Sequence, residues 1–261
     1  MMLCAGSVGY LLSVFIAIWG ATRWGAPAAF YFCALGALLG AGCSEIALKV
    51  VPDGHPVNSR THFSSGGVKL FSGAALFLLI GYVAHCWELL GSWAWTPGLL
   101  SMVLAPLHLS PVMLGLVVAA AVHLPGMLST VIAGALSDYF SRISLLIIMG
   151  AAGAGCSLLL GWSVSWGAGW TLAIAMAGSF FIFGDSGVLS AAMADSVPPG
   201  QLGRMMGLRS LLGFGIGSLS PWCFGLVIDA THNWQLAYMV LSGGGTVALL
   251  AALVLGKSKK N

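Results

Sequence analysis

The sequence predicts an all-α integral membrane protein, a polytopic bundle of about eight transmembrane helices. Three observations predict it. Of the 261 residues, 59% are hydrophobic and only 7% charged, whereas soluble domains carry about 25% charged residues. The apolar residues fall into long runs, each near the roughly 20 residues that a bilayer-crossing helix needs. These runs are apolar all round and about twice the length of a barrel strand, so they read as helices, one of the two forms that satisfy their backbone groups in hydrocarbon. Cut into eight spans, the chain also collects nine of its ten Lys and Arg residues on one side of the membrane.

The spans are predicted over residues 3–22, 26–48, 70–96, 111–136, 143–163, 168–194, 204–228 and 235–256. The first has no basic region before it and meets the second across Arg23 to Ala26, so it reads as a helix and not as a signal peptide. The second ends at Glu45 and Lys49, four residues apart, as an interfacial ion pair. Residues 49–69 are rich in Pro, Gly, Ser and Asn and read as a cytoplasmic linker at the membrane surface. They separate two helices (1–48) from six (70–256), and residues 257–261 form a cytoplasmic tail.

Small residues recur in the later spans. Gly213, Gly217, Pro221, Gly225 and Asp229 repeat every four residues and share one helix face, which lets a neighbouring backbone approach. Gly150, Gly153 and Gly155 do so less regularly. Pro125 and Pro221 free a backbone carbonyl and are expected to kink their spans.

The charge partition sets the topology. Lys49, Arg60, Lys69, Arg142, Arg204, Arg209, Lys257, Lys259 and Lys260 fall on one side and Arg23 on the other. Cytoplasmic loops hold the excess of Lys and Arg, so both termini are expected to face the cytoplasm, with the chain in the cell's inner or plasma membrane. Trp19, Trp24, Trp93, Trp95, Trp162, Trp166, Trp170 and Trp234 fall near outer span ends as an aromatic belt, and Trp87 and Trp222 are placed more internally.

Several function classes find no support. The sequence has no HExxH, no Gly-x-Ser-x-Gly and no phosphate-binding loop, so no enzyme is expected. No ordered basic patch points to nucleic acid. The six cysteines (Cys4, Cys33, Cys43, Cys86, Cys156 and Cys223) lie in or beside spans without a CxxC pair and read as small packing residues. No cofactor or metal is expected.

Ionisable groups inside spans are the candidate site. A charged Asp in mid-span costs about 2.5–3.5 kcal/mol on insertion scales, so such residues face a cavity or a partner. Asp185 lies near the middle of the sixth span between Gly184 and Gly187. Glu88 is in the third span, three residues from His85 and on its face. His123 is near the centre of the fourth, just before Pro125 and Gly126. These groups form a candidate proton and substrate pathway; a bonded core histidine is the competing reading of His123. No basic residue is placed deep in a span, so a strongly anionic substrate has no evident counter-charge.

One cytoplasmic turn reads Gly134-Ala135-Leu136-Ser137-Asp138-Tyr139-Phe140-Ser141-Arg142. It resembles the loop signature of the major facilitator superfamily, commonly Gly-x-Leu-x-Asp-Arg-x-Gly-Arg-Arg. It keeps Gly134, Leu136, Asp138 and Arg142 and departs at Tyr139, Ser141 and Ile143. The segment from Ala194 and Asp195 through Pro198 to Gly203 and Arg204 is similar to the loop between that family's tenth and eleventh helices. His85 to Pro97 resembles the seventh helix of some prokaryotic members, and residues 7–48 resemble the fifth and sixth.

The resemblance implies a major-facilitator fold with a complete C-terminal six-helix half, covering family helices five to twelve. It implies a secondary active transporter moving a small solute by alternating access, coupled to protons through Glu88 or Asp185. Gly134, Asp138, Arg142, Asp195 and Arg204 would form the gating loop, with Asp138 facing the N-terminal end of the helix near Gly203 and Arg204. The pathway-lining helices would be the third, fourth, sixth and seventh spans. The first four family helices are missing, so a truncated chain is expected, transport-defective unless it dimerises or a second chain supplies them. The alternative is a non-transporting membrane scaffold or regulatory subunit whose polar residues serve packing.

Overall fold

The structure, a computed structural model, describes residues 2–50 and 73–258, with side chains omitted at 2–7 and 199. The expected linker lies almost wholly outside the described residues, Arg60 and Lys69 included, as do Lys259 and Lys260 and the side chain of Cys4. Every described element is helical, and the chain divides into two compact units, one within Val8–Lys69 and one holding Leu70–Asn261.

The first unit is an α-helical hairpin, Val8–Trp24 of α1 (Met2–Trp24) with α2 (Ala26–Val50). Gly25 turns the chain in one residue at φ +84°, a conformation that L side chains rarely adopt. Trp19, Trp24 and Phe32 pack at the closed end, with centroids 4.9–6.1 Å apart. Gly20 leaves room for the Phe32 ring. No residue of α2 is buried. A helix apolar all round with nothing buried is built to face lipid or other helices. Lys49 meets Glu45 at 2.7 Å, the expected pair at the end of α2.

The second unit contains α3 (Gly73–Leu104), α4 (Pro111–Tyr139), α5 (Arg142–Ser163), α6 (Ala168–Ser196), α7 (Pro199–Gly217), α8 (Leu219–Thr231) and α9 (Trp234–Ser258). Helix α3 packs against α9, α7, α8, α6 and α4. Helix α6 packs against α4, α5 and α3, and α5 packs against α9. Glycines set the closest approaches: a Cβ at Gly161 would stand 2.7 Å from the Gln235 Cα, and one at Gly150 3.3 Å from the backbone of Leu249. Two large apolar cores result, with a small third of Leu89, Ile182 and Phe183 between them. One gathers Leu78, Leu79, Met149, Val188, Met193 and Met205, the other Leu99, Leu100, Val122, Phe224, Tyr238 and Leu241. Along α3 the first core ends at Cys86 and the second begins at Leu99, and Glu88 lies in the interval.

Seven described helices are long and apolar enough to cross a membrane, counting α7 and α8 as one. The first span, expected over 3–22, is helical over Met2–Trp24, 23 residues. The seventh span differs most from expectation. Its helix begins at Pro199 and breaks at Ser218. The cause is Pro221, which has no N–H to give the carbonyl of Gly217, the last residue of α7. Pro97 and Pro125 stay inside continuous helices.

The glycine stripe faces α3, as its spacing predicts. Gly213 lies against the Tyr82 ring, Gly217 against the backbone of Cys86, and Gly225 against Trp95. The tryptophans need two corrections. Trp222, expected inside, is 63% exposed. Trp95 is no simple belt residue: it stacks on Phe224 at 4.9 Å and donates from Nε1 to the Pro221 carbonyl at 2.9 Å. The α8–α9 turn is capped by Asn233, whose Oδ1 accepts from the N–H groups of Gln235 and Leu236.

Candidate functional site

A polar layer is built where α3 meets α6, α5, α9 and α7. Helix periodicity makes His85 the neighbour of both Tyr82 and Glu88, each three residues away on α3. Helix α6 supplies Asp185 and Ser186. His85 Nδ1 is 2.8 Å from Asp185 Oδ1, with both side chains at least nine-tenths buried. The contact is short but off-axis for a hydrogen bond, and Oδ1 has no aligned donor among the described residues. The other ring nitrogen, Nε2, is 2.8 Å from Ser186 Oγ. With the proton on Nδ1, facing the carboxylate, Nε2 accepts from the Ser186 hydroxyl. Asp185 also lines a cavity of about 10 Å³ with Gly81, Leu78 and Ala248, a volume near that of one water.

Glu88 is buried. Its Oε1 accepts from Ser157 Oγ on α5 at 2.6 Å. Gly245 on α9 closes over the same carboxyl, where a Cβ would stand 2.5 Å from Oε2, and Gly153 on α5 lies on it as well. Glu88 therefore belongs to one of the expected lining helices, yet its carboxyl turns towards α5 and α9.

His123, on α4, is 3% exposed. Its ring lies 6.0 Å from Trp93 and 5.9 Å from Phe183, the latter edge-on. Gly126 makes this possible, because a Cβ there would stand 2.6 Å from the Phe183 ring.

The expected gating residues are dispersed. Arg142, at the start of α5, forms an ion pair with Asp195, near the end of α6. Gly134 accepts at its carbonyl from Ser137 Oγ at 2.7 Å. Asp138 and Arg204 are exposed and form no ion pair among the described residues. Helix α7 begins at Pro199, four residues before the helix start expected near Gly203.

Arg209 is the residue that sequence reasoning misplaced. It was assigned to the cytoplasmic loop side, and no basic residue was expected deep in a span. It lies ten residues into α7, about 15 Å along the helix axis, and only 8% of it is exposed. Its guanidinium carbon lies 3.7 Å from the centroid of the Tyr82 ring. Arg209 Nη1 donates to Met206 Sδ at 3.3 Å, and Nε is buried without a partner. The signal was present in the sequence, since Arg209 stands between Gly207 and Gly213 within an apolar run.

The helices and this buried layer define the class, an all-α multi-pass membrane protein. Compared with known family models and with curated proteins, the chain matches none.

Proposed function

We propose that the chain is a secondary active transporter of the major facilitator type, moving a small solute by alternating access with proton coupling. The observation that carries this reading is the buried contact of His85 with Asp185 and Ser186 between α3 and α6. Idle acids are expensive at such depths. A carboxylate held against a histidine gives a two-state element: the contact of the Asp185 carboxylate with His85 draws α3 and α6 together, and loss of its charge releases that attraction. Glu88 is the second acid of the pathway. The Arg142–Asp195 pair ties the start of α5 to the end of α6, opposite the turn that connects the two helices, and forms a gate contact with two settings. In this reading the chain lies in the cell's inner membrane with both termini in the cytoplasm, and a second helical unit supplies the opposite wall of the cavity.

The second reading is a membrane scaffold or regulatory subunit. It is favoured by the enclosure of Glu88, whose carboxyl is fastened by Ser157 and covered by Gly153 and Gly245. Proteoliposomes with a pH dye inside and an imposed membrane potential separate the two. A transporter shows proton uptake that depends on an added solute from a panel of small acids, sugars and amines, and Asp185→Asn abolishes it. A scaffold shows no solute-dependent proton movement, and Asp185→Asn leaves its partner binding intact.

A further inference from the structure

Among the described residues, Arg209 is the only buried Lys or Arg. It is a cation without a counter-ion there: no carboxylate of those residues comes within ion-pair distance, and Asp185, the buried acid of α6, is engaged by His85. A guanidinium has five N–H donors in a rigid planar fork. Here one face rests on Tyr82, one donor meets the weak thioether acceptor of Met206, and Nε is unpartnered. The setting is fixed on two sides. Tyr82 is held under α7 by Gly213, one turn beyond Arg209, where a Cβ would collide with the ring. The fork is therefore held against Tyr82, and its edge at Nε is buried without a hydrogen-bond partner among the described residues. Such an edge matches the paired oxygens of a carboxylate or phosphate.

We infer that Arg209 is an anion-recognition residue, and that the solute carries a carboxylate or phosphate group. This rests on the transport reading and names its substrate class. The His85–Asp185 pair lies on the neighbouring turn of α3, so a proton and an anion would bind in one layer with their charges offsetting. A buried, unpaired guanidinium also predicts its own signature: it lowers stability until an anion arrives.

The test uses the full chain, purified in a neutral detergent. Melting temperature is followed while acetate, succinate or phosphate replaces chloride at constant ionic strength, with glycerol and glucose as neutral controls. At least one anion should raise the melting temperature, and the neutral solutes should not. Arg209→Gln should remove that response, while Arg209→Lys should keep it with roughly tenfold or more weaker apparent affinity. Without added anion, Arg209→Gln should melt no lower than the parent. No anion response in the parent, or an equal response in Arg209→Gln, overturns the inference.

Two further arms separate its failure from other failures. In nanodiscs, a response that depends on Arg209 and occurs with anionic phospholipid but with no soluble anion assigns the site to a lipid headgroup and overturns a solute. In proteoliposomes, proton uptake driven by a neutral solute and unchanged in Arg209→Gln overturns the inference and leaves transport standing. Binding of an anion through Arg209 without any proton-coupled flux keeps the site and overturns the transport reading.

Discussion

Ser157 on α5 donates to Glu88 on α3 at 2.6 Å, so one hydroxyl fastens a buried carboxyl across a helix interface. Removing the donor strands the acceptor in a site that water does not reach. Ser157→Ala should therefore destabilise the chain by about 1–3 kcal/mol, and Glu88→Gln, which keeps the acceptor oxygen, by less. Thermal melts in detergent measure both. A Ser157→Ala protein as stable as the parent would show that Glu88 has another donor.

Glycine content at Gly245 and Gly155 has opposite meanings. At Gly245 an added methyl meets both Glu88 oxygens, within 2.7 Å, whereas Gly155 has open space. Gly245→Ala should cost about 1–3 kcal/mol through overpacking. Gly155→Ala should be neutral or stabilise by roughly 0.4–1 kcal/mol, because alanine loses less freedom in a helix. The order of the two melting temperatures is the measurement.

His85 and Asp185 should behave as a unit. Either single change to a neutral residue leaves the other group buried without its partner, which typically costs about 3–5 kcal/mol. The double change His85→Gln with Asp185→Asn should cost less than the sum of the two. A double-mutant cycle reads this as a coupling of roughly 0.5–3 kcal/mol; additive values would mean that the 2.8 Å contact has no energetic content.

The Arg142–Asp195 pair should matter little to stability. The Asp195 side chain is 65% exposed and that of Arg142 27%, and exposed pairs contribute about 0–1 kcal/mol, less in salt. Asp195→Asn should leave the melting temperature almost unmoved. A gate contact predicts instead that solute flux or its direction bias changes. A large loss of stability with normal flux would assign the pair to structure.

Topology has its own check. On a background without native cysteines, Ser141→Cys should react with an impermeant thiol reagent added from the cytoplasmic side, and Asn233→Cys with reagent added outside. The reversed pattern would overturn the orientation drawn from the Lys and Arg distribution.

The helices were legible in the sequence because bilayer length and apolar composition constrain them one at a time. The α3-facing stripe of Gly213, Gly217 and Gly225 was legible for a similar reason, since a four-residue repeat has only one face to occupy. What could not be read was the direction of single side chains. Glu88 was assignable to a span, but its turn towards Ser157 and Gly245 depends on how α5 and α9 are brought beside α3. Arg209 was misjudged because positive charges were sorted by side of the membrane, a rule for loops that is blind to a cation stacked on an aromatic ring. Pro221 was recognised as a disturbance; that it divides the helix at Ser218 follows from its joint placement with Gly217.

That division separates two attachments to α3. The shorter piece, α8, is pinned where Trp95 donates to the Pro221 carbonyl and Phe224 is fully enclosed. The other piece, α7, meets α3 through Gly213 and Gly217, through Arg209 on the Tyr82 ring and through Met205 in the first core. Arg209 and the segment that Trp95 anchors thus stand on two helices that no longer share one unbroken ladder of backbone hydrogen bonds.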